Sequence, residues 1–201
     1  MSKFSRHKVF ISYHHEKDQK YADMLRARLA GDFVDKSVHE EDIDDRNLKT
    51  TTIRQKIRDE FIADATVSIV LIGPETYTRK HVDWEIGSSL RKTRKNSRCG
   101  LVGILLPNHP DYAKQKFSER LIPPRLSANV KGNDPYAQIY RWPKNNRTSH
   151  IRQWIEEAFQ RRDGTPPNNA LKPFANNRKP VEFRKRIRKT DRTFQSRRRT
   201  F

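Results

Sequence analysis

The chain has 201 residues, a length that suits one domain with or without an additional tail. Its 43 lysine and arginine residues outnumber 24 aspartate and glutamate residues, which gives a formal net charge of +19. The apolar runs are far shorter than the roughly 20 residues that a membrane-spanning helix needs. The single cysteine, Cys99, excludes an intramolecular disulfide framework and a cysteine-rich zinc site, so we expect a protein of the reducing cytoplasm.

Apolar runs alternate with amphipathic stretches along the first third of the chain. Val9–Tyr13 is short, apolar and rich in β-branched and aromatic residues, which indicates a strand buried on both faces. The patterns that follow predict a helix that carries Tyr21, Met24, Leu25 and Leu29 and ends at Gly31, a weaker strand at Phe33–Val38, an acidic loop at His39–Asn47 and a helix at Thr51–Ala65.

The alternation continues as far as Phe159. The patterns predict a strand at Val67–Ile72, a helix marked by Val82, Ile86 and Leu90, a buried strand at Leu101–Leu106, an irregular loop at Asn108–Pro135, a short edge strand at Gln138–Trp142 and a last helix that carries Ile151, Ile155 and Phe159. This order is typical of an α/β three-layer sandwich with a mainly parallel sheet. Ligands of such sheets bind at the carboxyl ends of the strands, where the strand order reverses.

The end of the chain has a different composition. From Gln160 to Phe201 there are 14 basic and 3 acidic residues, and Asp163–Asn169 resembles a linker. Without an apolar period, such a segment buries too little apolar surface to offset an ordering cost of roughly 1–2 kcal/mol per residue. We therefore predict a domain at residues 1–162 and a basic, disordered tail at residues 163–201. The charge of this tail allows non-specific nucleic-acid contact as an accessory role.

Several common catalytic motifs are missing from the sequence. No glycine-rich phosphate loop follows a predicted strand, and no Gly-x-Ser-x-Gly turn is present. The strand at Val67–Ile72 lacks the terminal aspartate of a phospho-acceptor module. His14 and His15 have no cysteine or second histidine pair at ligand spacing, so we expect no metal site.

Two short stretches remain as candidates for chemistry. Glu85 follows the strand at Val67–Ile72 and borders the apolar stripe of the next helix, where a partly solvated carboxylate could orient a ribose hydroxyl or stabilise an oxocarbenium ion. The alternative is a surface glutamate paired with His81. The end of the first strand faces the same crevice, where Tyr13 or His15 could stack on a base and Ser12 could bind a phosphate. The alternative there is ordinary turn chemistry.

The same residues carry a family resemblance. Val9–His14, followed by a polar turn and a helix, resembles the opening of a TIR domain. Val67–Ile72, Gly73 and Arg79–Ile86 resemble the third TIR strand and the helix that holds the catalytic glutamate. The variant is similar to the ThsB type of TIR-like protein from bacterial Thoeris anti-phage systems, and the resemblance covers about Lys8 to Phe159. Many TIR domains have tryptophan four residues before the glutamate, where this chain has His81.

The resemblance implies a TIR-like, flavodoxin-like fold and an NAD-consuming enzyme. Glu85 would be the catalytic carboxylate that cleaves the nicotinamide–ribose bond, with NAD as substrate and no separate cofactor. The residues that would bind the substrate are Phe10, Ser12, Tyr13, His14, His15 and Trp84. The product would be an ADP-ribose-derived signal that activates a separate effector protein, and self-association is a further expectation.

Two other functions fit the same sequence. TIR-like domains also act as assembly scaffolds, in which case Glu85 is structural. A nucleoside deoxyribosyltransferase-like enzyme has a similar topology and also places a glutamate in a ribose site. Release of nicotinamide from NAD separates the first function from both alternatives.

Overall fold

The computed structural model of the protein describes residues 7–30, 33–35, 52, 55–93, 97–144 and 148–181. The helices and strands given below lie within these residues. In chain order they are β1 (His7–Ser12), α1 (His15–Leu29), β2 (Phe33–Asp35), a π-helical turn (Ile57–Phe61), β3 (Val67–Ile72), a 3-10 turn (Thr76–Thr78), α2 (Lys80–Ser89), β4 (Gly100–Leu105), a second 3-10 turn (Glu119–Leu121), α3 (Pro124–Asn129), β5 (Ala137–Arg141) and α4 (Thr148–Arg161). Among these residues, no helix is both long and apolar enough to cross a membrane.

Five strands of the described chain form one sheet in the order β2-β1-β3-β4-β5, and every neighbouring pair is parallel. The predicted α/β fold with a parallel sheet is thus confirmed. The strand order reverses between β1 and β3, which is the point where ligands bind in folds of this order. Ser12, the last residue of β1, lies beside Val70 of β3.

Apolar side chains cover both faces of the sheet because successive residues of a strand point to opposite sides. On β3, Ile69 and Leu71 join a core with residues of α1 and α4, whereas Val70 and Ile72 join a core with residues of α2 and α3. This produces the predicted three layers. Within the predicted stripe of α1, Met24 is the exception, since its side chain is 42% exposed.

Two predicted segments differ from the structure. Within the predicted helix at Thr51–Ala65, the described residues 52, 55 and 56 are α-helical, but the helix continues as the π-helical turn and the chain then turns through Asp64 with a φ of 66°. Aspartate tolerates this left-handed conformation better than most residues. The predicted irregular loop at Asn108–Pro135 contains α3, whose first residue is Pro124, a position where proline is favoured because its missing N–H has no helical partner. Gly31, Lys36–Val38 and the predicted acidic loop lie outside the described residues.

The stretch after α4 also differs from prediction. Residues 168–181, here called the strap, pack on the domain instead of leaving it at residue 162 as a flexible linker would. Phe174 is only 6% exposed, and the strap begins at α3, where the Asn168 N–H donates to Asn129 Oδ1 at 2.8 Å. It ends at the first 3-10 turn, where the Val181 N–H donates to the Tyr77 hydroxyl at 2.8 Å. Hydrogen bonds rather than an apolar period hold this segment. Residues 182–201 lie outside the described part of the chain, so the predicted disorder there stays a prediction.

Candidate active site at the edge of the sheet

Ser12 and Glu85 meet where β1 ends. The Ser12 hydroxyl donates to Glu85 Oε2 at 2.5 Å, and the two residues are 0% and 3% exposed. The structure therefore brings together the two segments singled out in the sequence. It differs in one respect, because Glu85 is buried rather than partly solvated.

Phe10 and Trp84 lie behind this pair, inside the protein. Both belong to an apolar cluster with Ile57 and Cys99. Trp84 is 2% exposed, and its indole N–H donates to the Phe174 carbonyl of the strap at 2.8 Å. The two aromatic side chains are thus core residues that pack beneath the site, and their predicted contact with substrate stays a prediction.

Tyr13 and His15 follow β1 and lie against one another. Their rings stack with centroids 4.2 Å apart, and the Tyr13 hydroxyl donates to Gln19 Oε1 at 2.9 Å. Tyr13 is 1% exposed and belongs to the core beneath α1, whereas His15 is half-buried. Of the two rings predicted to stack on a base, His15 is therefore the more accessible.

His14 begins α1 through its backbone and carries a buried imidazole. Its carbonyl accepts the Asp18 N–H at 2.8 Å, and its side chain is 2% exposed. Burial, followed by the nearby Arg79 guanidinium, lowers the pKa of His14, so the ring is neutral at neutral pH. Among the described residues, Nδ1 of this ring has no hydrogen-bond partner. Buried polar atoms are nearly always paired, so this nitrogen is an exception within the described residues.

Asp18 is a site residue that the sequence did not reveal. It is fully buried on α1, where Oδ1 accepts from the Asn108 amide at 2.8 Å and Oδ2 accepts from the Thr76 hydroxyl at 3.2 Å. Burial is the main reason that the pKa of Asp18 is raised. Gly73 leaves the space for this carboxylate, since a Cβ there would lie 2.1 Å from Asp18 Oδ2. Asp18 thus links the segments that follow β1, β3 and β4. The sequence did not indicate this role, because an aspartate in the first turn of a helix is ordinarily interpreted as a partner of the helix dipole.

A second buried pair fixes the helix that carries Glu85. Arg125 of α3 donates to both Asp83 carboxylate oxygens, at 3.0 and 3.2 Å, with side chains that are 0% and 3% exposed. Arg125 also donates to Asn169 Oδ1 at 2.7 Å and to the Leu171 carbonyl at 2.9 Å. The Phe174 N–H donates to Asp83 at 3.0 Å. One ion pair therefore joins α2, α3 and the strap.

Two enclosed carboxylates lie at this edge: Asp18 accepts hydrogen bonds from Asn108 and Thr76, and Glu85 accepts one from Ser12. In the part of the chain that the structure describes, no group of three or more His, Cys, Asp or Glu side chains could hold a metal ion. Glu85 supplies a carboxylate, and the Ser12 hydroxyl orients it. Such an arrangement suits stabilisation of positive charge on a substrate, because a buried charge acts more strongly than one in water.

Comparison with known proteins identifies the family. The model for the TIR-like domain of the Thoeris protein ThsB matches residues 10–111, a range that includes Ser12 and Glu85. Two solved structures show weaker likeness. A metazoan TIR-STING receptor from C. gigas, in complex with 2',3'-cGAMP, is 19% identical with a TM-score of 0.44, over 78% of this chain and 41% of the receptor. The TIR domains of the activated Roq1 resistosome, which directly recognises the pathogen effector XopQ, are 14% identical with a TM-score of 0.36, over 79% of this chain and 85% of the other.

The chain spans about two fifths of the length of the TIR-STING receptor. No curated protein matches. The family match spans just over half of the chain, from β1 through β4. The chain therefore belongs to the Thoeris ThsB family of TIR-like domain proteins.

Proposed function

We propose that this protein cleaves the nicotinamide–ribose bond of NAD and that Glu85 is the catalytic carboxylate. The observation that carries the proposal is the buried contact between Ser12 and Glu85 at the edge of the sheet, beside the reversal of strand order. Membership of a TIR-like family supports an NAD-related role in signalling. The site also suits the chemistry, which needs one well-placed negative charge.

The reaction begins from a bond that is already cationic. When the bond between ribose C1′ and the pyridinium nitrogen breaks, its electron pair stays with nitrogen and nicotinamide leaves as a neutral molecule. Positive charge then develops on the ribose, where the Glu85 carboxylate stabilises it. The Ser12 hydroxyl, 2.5 Å from Oε2, fixes the direction of that carboxylate. The oxygen of an acceptor bonds to C1′ and releases one proton.

The acceptor decides the product. Water gives ADP-ribose, a hydroxyl of the same molecule gives a cyclic product, and another nucleophile gives a conjugate. We propose that the ADP-ribose-derived product acts as a signal on a separate effector protein. The proposal requires no cofactor beyond NAD itself.

The test is incubation of the purified chain with NAD, with and without lysate from phage-infected cells, followed by mass analysis. We expect release of nicotinamide together with one ADP-ribose-derived species. A parallel incubation with deoxynucleosides and free bases tests deoxyribosyl transfer, which we expect to be absent. Unchanged NAD under every condition would contradict the proposal and would favour a scaffold in which Glu85 is structural.

A further inference from the structure

A cleft of about 530 Å³ lies outside the candidate active site, between the strap and the segment from Glu119 to Lys131. Its apolar lining, here called the floor, includes Ile122, which is 1% exposed, and Leu171, which is 41% exposed. Four basic side chains, here called the rim, also line it, namely Arg120, Lys131, Arg178 and Lys179. All four are exposed. Neither Ser12 nor Glu85 lines this cleft, so it is separate from the site of the proposed reaction.

The positive charge of the rim is largely uncompensated. Among the described residues that line the cleft, Glu119 is the one carboxylate, and its Oε2 pairs with Lys131 Nζ at 2.6 Å. Among the described residues, no carboxylate pairs with Arg120, Arg178 or Lys179. Three like charges thus surround one small volume, an arrangement that repels itself unless an anion is bound.

The backbone of the strap holds two of these cations in place. The Arg178 N–H donates to the Thr78 carbonyl at 2.8 Å, and the Arg178 guanidinium lies 3.7 Å from the centre of the Phe174 ring. The Val181 N–H then donates to the Tyr77 hydroxyl at 2.8 Å. These contacts hold the backbone that carries Arg178 and Lys179 on one side of the cleft, and Arg120 lies on the segment at the other side.

The sequence that follows the strap is also basic. Residues 182–201 contain nine lysine and arginine residues and two acidic residues. That composition makes this segment an unsuitable occupant of a basic cleft, and it adds to the positive charge of the chain. A ligand with repeated negative charges fits this pattern better than a single small anion.

We propose that the cleft binds single-stranded nucleic acid, with phosphates on the cations of the rim and a base against its apolar floor. Proteins that bind single strands without sequence preference combine a positively charged groove with apolar or aromatic surfaces for the bases. The proposal is independent of the NAD reaction, because Glu85 lies elsewhere.

The test uses the full chain and a fluorescently labelled, mixed-sequence RNA oligonucleotide, with binding measured by anisotropy over a range of salt concentrations. The test variant is Arg178→Gln with Lys179→Gln. The matched control, Lys20→Gln with Lys144→Gln, removes two exposed charges that do not line the cleft. Because each phosphate contact on a single strand contributes about 0.7 to the slope of log K against log salt, we expect the test variant to lower the slope by about 1.4. We expect the control variant to leave the slope unchanged.

A third variant separates the loss of charge from misfolding of the strap. Arg120 lies on the side of the cleft opposite the strap, so Arg120→Gln should lower the slope by about 0.7 while the strap is unchanged. Three outcomes would overturn the proposal: equal losses in the test and control variants, an affinity that is insensitive to salt, or equal competition by polyglutamate, which would assign the cleft to acidic proteins. NAD turnover measured in the same variants is expected to stay unchanged.

Discussion

Asp83 and Glu85 lie two positions apart on α2, and their side chains make contacts on opposite sides of that helix. Two residues correspond to about 200° of rotation. Asp83 therefore faces Arg125 and the strap, while Glu85 faces Ser12 at the end of β1. The helix is thus held on both sides, and the direction of the Glu85 carboxylate depends on the ion pair behind it.

The first prediction concerns that ion pair. Arg125→Met leaves Asp83 buried without its charged partner, so we expect a loss of about 3–5 kcal/mol in the free energy of unfolding, measured with denaturant. The control is Lys131→Met, which breaks the exposed pair with Glu119 and should cost less than about 1 kcal/mol. Equal losses in the two variants would show that the buried pair does not fix α2.

The second prediction concerns the strap. A chain that ends after Asp163 loses the contacts of Asn169, Leu171 and Phe174 with α2 and α3. We expect it to melt at a lower temperature and to turn over NAD more slowly than a chain that ends after Val181, because α2 is no longer held from behind. The comparison of these two truncations isolates the strap from the residues that follow it. Equal melting temperatures would mean that the strap contributes nothing to stability.

The third prediction concerns Gly73. Gly73→Ala brings a methyl group against the buried Asp18 carboxylate, where a Cβ would lie 2.1 Å from Oδ2. Overpacking of this kind typically costs about 1–3 kcal/mol. Gly164→Ala is the matched control, because the nearest atom to its Cβ is 3.5 Å away. A second Asp18→Ala substitution should recover part of the loss caused by Gly73→Ala, and strictly additive losses would argue against the contact.

The fourth prediction concerns acid. Burial lowers the pKa of His14 below 6.5, so the unfolded chain binds this proton more readily than the folded chain does. The stability that His14 contributes is therefore present above about pH 6.5 and decreases as the pH falls towards the folded pKa. We expect His14→Gln to lose less stability than the parent chain between about pH 7 and pH 5, measured from denaturant midpoints. Identical pH dependence in both proteins would contradict the assigned burial of the ring.

The sequence predicts most of the sheet because its signals are local. Val67–Ile72 is apolar except for Ser68, and the structure gives a strand over the same residues with every side chain buried. The meeting of Ser12 with Glu85 also follows from local signals. One residue ends β1, the other lies on the helix after β3, and parallel strands bring both to the same edge.

The sequence does not predict the buried polar contacts, because the residues that form them are distant in sequence. Asp83 and Arg125 are 42 positions apart, and no spacing rule connects them. The strap has no apolar period in its sequence. Amide side chains and backbone groups hold it against α2 and α3 instead. Composition therefore indicates a linker for residues that are packed on the domain.

The most direct test of the central claim compares Glu85→Gln with the parent chain in nicotinamide release from NAD. Glutamine keeps the size of the side chain and can still accept the Ser12 hydrogen bond, but it removes the charge. Glu60→Gln, at an exposed position, is the control for a general effect of losing a glutamate. With both variants folded to the same melting temperature, we predict that Glu85→Gln lowers the rate by about 100-fold or more, as loss of a major electrostatic contact does, while Glu60→Gln keeps the parent rate. A folded Glu85→Gln protein that releases nicotinamide at the parent rate would contradict the account.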